Sequence, residues 1–203
     1  VSYFTRSGER PLPPLPQGAL PSGYEGYLDI ESTGLSPDSA HVTLVGLVLP
    51  QNGSRFLEQY FADTPADEAE VLSLVAARLR QLAGVVTYNG ATFDLPFLRR
   101  RAALYKIDWP WVETYDLLTV ARAWRSQFGQ LPNCKLQTVM AHFALGRVDQ
   151  TSGYEMVEAY HRWVKHGEVA DRDLILEHNA DDLLLLPDLV PCLTQPPGAV
   201  RPA

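Results

Sequence analysis

With 203 residues, the chain has the size of one ordinary domain with its own core. Its 46% hydrophobic and 20% charged residues suit a soluble globular protein, no apolar stretch approaches the span of a bilayer, and residues 1–10 lack a signal-peptide core. The formal charge of −7 argues against a protein that coats nucleic acid through a basic face, yet leaves room for an enzyme whose acidic cleft is reversed in sign by bound cations.

Residues 1–23 hold Pro11, Pro13, Pro14, Pro16 and Pro21 with little periodicity, and read as a lead or linker lying extended on the domain. The tail from Thr194 has the same character, as expected of a domain cut from a longer polypeptide with a fused or partner domain. Residues 24–31, 42–49 and 54–61 read as three strands, separated by Ser36-Pro37-Asp38 and by Asn52-Gly53, a hairpin turn. Short links favour an antiparallel meander. Val71, Leu72, Val75, Leu79 and Leu82 give residues 67–82 helical spacing.

The apolar run 85–88 reads as a buried parallel strand, followed by a helix over 95–105 with Pro96 in its first turn. Residues 112–115 predict a fifth strand, and Asp116 is placed to cap a helix over 117–127. Helices over 135–144, 154–166 and 171–190 complete the chain. Three antiparallel strands, then two parallel ones alternating with helices, define an α/β fold: a mixed five-stranded sheet flanked by helices, spanning 24–193. That order matches the ribonuclease H-like architecture. Arg99-Arg100-Arg101 and the pair Arg122 and Arg125 read first as solvated helix faces. Cys134 and Cys192 lack ligand spacing and are expected reduced, in the cytoplasm.

Asp29 and Glu31 stand one residue apart in the first predicted strand. Residues two apart share a face, so both acids point one way while Leu28 and Ile30 point into apolar packing. Like charges that close repel unless a cation lies between them or one is protonated. Asp94 opens the helix after the turn at Asn89 and Gly90, where it can equally serve the helix dipole. His178 and Asp182 lie four apart in an apolar helix and share a face, whereas Asp181 points about 100° away. A His–Asp pair that only steadies the helix has the same pattern.

Taken together, Asp29-Ile-Glu-Ser-Thr-Gly, Asn89-Gly-Ala-Thr-Phe-Asp94 and His178 with Asp182 resemble the three motifs of the DEDD exonuclease superfamily. More narrowly, Tyr115-Asp-Leu-Leu, Cys134-Lys-Leu-Gln-Thr and His178-Asn-Ala-Asp-Asp-Leu resemble the phrases of YprB-like ribonuclease H-like domains. One departure stands out: the histidine occupies the four-residue spacing that a tyrosine has in part of the superfamily.

The resemblance implies a 3′–5′ exonuclease that cleaves DNA or RNA from a single-stranded 3′ end with two divalent ions, Mg²⁺ or Mn²⁺. Asp29, Glu31, Asp94 and Asp182 would be the ligands and His178 the base. Thr33, Leu35, Asn89 and Phe93 would hold the terminal nucleotide, although Phe93 also suits the core. The alternatives are a structure-selective endonuclease on the same fold and a binding module without turnover.

Overall fold

The computed structural model describes residues 1–13, 17–20, 23–51, 53–146, 151 and 153–196. Pro14, Pro16 and Pro21 of the lead, Asn52 of the predicted hairpin turn and the tail from 197 lie outside the described residues.

The sheet has six strands rather than five. In chain order they are β1 (Ser2–Pro11), β2 (Tyr24–Ser32), β3 (Val42–Gln51), β4 (Ser54–Phe61), β5 (Gly84–Thr87) and β6 (Glu113–Asp116), with spatial order β1-β4-β3-β2-β5-β6. β2, β3, β4 and β1 pair antiparallel, while β5 runs parallel to β2 and to β6. The extra strand is β1, which lies in what reads as the proline-rich lead. Averaging composition over 1–23 hides it: Tyr3, Phe4 and Thr5 have high strand propensity, and the prolines begin only at its last residue. Tyr3 stacks on Tyr60 with ring centroids 5.0 Å apart, and Phe4 packs against the Phe61 cluster.

The helices are α1 (Glu68–Leu79), α2 (Asp94–Leu104), α3 (Leu117–Phe128), α4 (Leu136–His142), α5 (Gly153–His166) and α6 (Val169–Thr194). Alternation along β2 assigns its side chains to two cores. Leu28 and Ile30 pack with Val71, Val75 and Phe97 of α1 and α2. Tyr27 packs on the other face with Leu117, Val139 and Leu183 of α3, α4 and α6. Asp29 and Glu31, two and four residues after Tyr27, therefore share the face that α6 covers.

Helix α6 runs through Pro187 and Pro191, past the predicted end at 190. Each proline removes one helical hydrogen bond. The buried face made by Leu186, Leu189, Val190 and Leu193 holds the helix on the sheet regardless. Arg55 of β4 reinforces this anchor: its buried guanidinium pairs with Asp188 and donates to the Leu184 carbonyl. Arg101 departs from the expectation of a solvated face. It is buried against Glu68, which also accepts hydrogen bonds from the Val42 N–H and the Tyr105 hydroxyl. Arg100 does lie at the surface, paired with Asp38. Among the described residues no helix is long and apolar enough to cross a membrane.

Candidate active site

Three elements bring four carboxylates together at one end of β2. Asp29 and Glu31 come from the strand, Asp94 from the first turn of α2 and Asp182 from the middle of α6. The Ile30 N–H donates to Asp94 Oδ1 at 3.1 Å, which ties the start of α2 between the two strand acids. His178 is buried, with Nε2 3.9 Å from Glu31 Oε1 and 4.0 Å from Asp182 Oδ2. Its Nδ1 lies 3.0 Å from Thr151 Oγ1. The register that puts Asp182 on the face of His178 is thus the one the helix adopts.

Asp29 and Asp94 are buried acids crowded by like charges. Burial holds the Asp29 carboxyl well above the usual carboxylate range, and the charges of Asp94, Glu31 and Asp182 raise it further. The Asn179 hydrogen bond opposes that shift. Asp94 is pushed up to about 7, first by burial, with the Ile30 N–H opposing and Asp116 adding to it. A divalent cation would relieve the repulsion, and an all-oxygen donor set suits Mg²⁺ or Mn²⁺. Among the described residues no group of three or more His, Cys, Asp and Glu side chains is already drawn into a metal shell. What speaks for a hard cation is the donor chemistry, four carboxylates converging on one strand end.

The other sequence-predicted residues surround this centre in different ways. Thr33 closes the turn after β2: its N–H donates to the His41 carbonyl at 2.9 Å, and its Oγ1 accepts from the His41 N–H at 2.8 Å. Leu35 stands 86% exposed at the tip of that turn. Asn89 has a left-handed backbone, φ 72°, and its Oδ1 accepts from the Thr92 hydroxyl. Phe93 lies half in the α1/α2 core, 5.6 Å from the Phe97 ring, so its packing role is plain.

Sequence reasoning missed a polar relay behind Asp29. The fully buried Asn179, next to His178, donates from Nδ2 to Asp29 Oδ2 at 2.9 Å. It accepts in turn from Gln59 Nε2 at 3.0 Å, and Gln59 also donates to the Leu176 carbonyl. Gly46 of β3 makes this possible, since a Cβ there would lie 2.1 Å from Asn179 Oδ1. A lone glycine inside a Val/Leu strand is a signal of close approach. Asp116 also does more than cap α3. Besides the Leu118 N–H, it accepts from the Asn89 and Ala91 N–H groups, which fixes the turn leading to Asp94.

Fold and sequence together place the chain in a family: the profile of the RNase H superfamily matches residues 26–194, and the chain belongs to that superfamily. Among curated proteins it is similar to the uncharacterized protein YprB of Bacillus subtilis, 26% identical over 166 residues that cover 79% of this chain and 39% of that protein. Among solved structures it is similar to the family B DNA polymerase of Pyrobaculum calidifontis, with a TM-score of 0.62 and 17% identity. That match covers 83% of this chain and 23% of the polymerase, and supports the fold. Exonuclease I of E. coli, in complex with a dT13 oligonucleotide, matches at a TM-score of 0.48 and 17% identity, over 72% of this chain and 42% of that one. The chain thus spans well under half the length of these relatives.

Proposed function

We propose that this chain is a DEDD-type 3′–5′ exonuclease, hydrolysing phosphodiester bonds at a single-stranded 3′ end of DNA or RNA and releasing nucleoside monophosphates. The observation that carries the reading is the convergence of Asp29, Glu31, Asp94 and Asp182 around one strand end, with His178 at their edge. Asp29, Glu31 and Asp182 would hold one divalent ion, and Asp29 with Asp94 a second. When bound, such ions supply Lewis-acid stabilisation of charge on the reacting phosphate.

His178 takes the proton of the attacking water at Nε2. That role requires the other ring proton on Nδ1, where the Thr151 hydroxyl oxygen can accept it. The water oxygen bonds to phosphorus, the bond to the 3′ oxygen breaks, and that oxygen takes a proton from solvent water, so the shortened strand leaves with a 3′ hydroxyl. Leu35, with its exposed side chain, would lie against the terminal base, while Thr33 and Asn89 shape the sugar pocket.

The test uses end-labelled DNA and RNA oligomers with Mg²⁺ or Mn²⁺. Stepwise shortening from the 3′ end, silenced by EDTA and by a 3′ block, is expected. Nicking of a circular single strand would replace the reading with an endonuclease, and cleavage surviving chelation would remove the metal.

Metal binding should also be visible without catalysis. Asp94 near 7 in the folded chain, against the ordinary carboxylate range in the unfolded one, means the metal-free native state binds the extra proton. Its contribution to stability is therefore greatest in acid and falls as pH rises from about 4 to about 7. Mg²⁺ must displace that proton below about pH 7 and need not above it. The Mg²⁺-induced rise in melting temperature is expected to be larger at about pH 8 than at about pH 5.5. An equal rise at both, read by calorimetry, would contradict it.

A further inference from the structure

A groove of about 670 Å³ opens beside the acidic centre, walled by Tyr88 and Asn89 after β5, Arg122 and Arg125 on α3, and Asn133 and Lys135 before α4. Among the described residues no acidic side chain lines it. Tyr27 pairs with Val86 in the parallel register, and Tyr88 and Asn89 in the groove wall open the turn that leads to Asp94, five residues after Asn89. Tyr27 and Val86 also belong to the same core, so the groove and Asp29 share one face of the sheet.

The cations here differ from most others in the chain. Arg55, Arg78, Arg100, Arg101 and Arg162 each pair with a carboxylate. Arg122, Arg125 and Lys135 have no salt bridge with an acidic side chain among the described residues. Arg125 instead donates to the Leu131 and Pro132 carbonyls, 2.8 and 3.0 Å away, which steadies the groove wall and keeps its charge unneutralised. A positive island in a protein of net charge −7, adjoining a carboxylate cluster, has polyanion as its complementary occupant.

We propose that this groove holds the sugar–phosphate backbone of a single-stranded nucleic acid on the 5′ side of its terminal nucleotide, with Arg122 and Lys135 as its main phosphate contacts. The inference rests on the exonuclease reading for the strand's polarity, and on the groove's own charge for its occupant. Contacts to phosphate position the strand without reading its sequence. Short substrates that end at the carboxylates would not feel them.

The test is the double charge reversal Arg122→Glu with Lys135→Glu, beside Lys106→Glu as a control. Lys106 follows the far end of α2, about 18 Å along the helix from Asp94. Anisotropy of a fluorescein-labelled single strand of about twelve nucleotides, in EDTA, reads binding without cleavage. The double variant is expected to bind at least about tenfold more weakly, with a salt slope shallower by about 1.4, or about 0.7 per lost phosphate contact. With Mg²⁺, its KM for the same strand should rise about tenfold with kcat unchanged, and its KM for a dinucleotide should not move. The control should match the wild type in each.

Unchanged binding of the long strand, or equal losses on long and short substrates, would overturn the groove. If no variant cleaves anything but the double variant still loses binding, the exonuclease reading falls and the groove stands. If cleavage proceeds and the double variant binds normally, the groove alone falls.

Discussion

Asp29→Asn is expected to lower turnover on a single-stranded 3′ end by about 10³-fold or more while raising the melting temperature of the metal-free protein by a few degrees, about 2–4 °C per kcal/mol. The two effects share one cause. Asp29 sits where the charges of Asp94, Glu31 and Asp182 converge, and burial makes each charge more costly. An amide keeps the shape and can still accept from Asn179 Nδ2, so the relay to Gln59 survives. What disappears is the negative charge that a pair of cations would require. A damaged fold would lose activity and stability together, so the opposite signs separate a functional acid from a structural one. Undiminished turnover in the variant, or a melting temperature that falls with it, would remove Asp29 from the centre of the mechanism.

Much of this arrangement is legible in the sequence because two periodicities carry it. The period of two along β2 puts Asp29 and Glu31 on one face and Leu28 and Ile30 on the other. Helical register puts His178 and Asp182 together in α6. Asp94 is legible because a strand, a turn and a helix start leave little choice about where its side chain can reach. The parts that escape are those decided by partners distant in sequence. Gln59 and Asn179 are 120 residues apart, and neither has a local signal of pairing. Arg101, in an all-arginine run, is buried only because Glu68 waits beneath it. Strand β1 escapes for a different reason: it is an edge strand whose pairing with β4 is invisible until the hairpin of β3 and β4 exists. Arg122 and Arg125 look like solvent decoration until the loop before α4 forms the opposite wall.

Gly46→Ala tests whether the site depends on how closely α6 approaches the sheet. A Cβ at Gly46 would lie 2.1 Å from Asn179 Oδ1 and 2.3 Å from Leu183 Cδ1. Both neighbours are fully buried on α6, and Leu183 belongs to the core shared with α3 and α4, so neither has room to retreat. Over-packing of this kind costs about 1–3 kcal/mol, and the strain is relieved only by lifting α6 from β3. That movement carries His178, Asn179 and Asp182 together, because all three lie within about two turns of one helix. A displacement of about 1 Å at a reacting centre is enough to cost about 10²-fold in rate. The variant is therefore expected to melt lower and to turn over about 10²-fold more slowly. Its affinity for a long single strand in EDTA should stay near wild type, since the groove at Arg122 and Lys135 lies on α3 and the loop before α4. Replacing Asn179 by Ala in the same background should restore part of the stability by removing the clash with Oδ1, without restoring the rate, since Asp29 then lacks its anchor. Rescue of both, measured side by side, would mean that the relay contributes only packing.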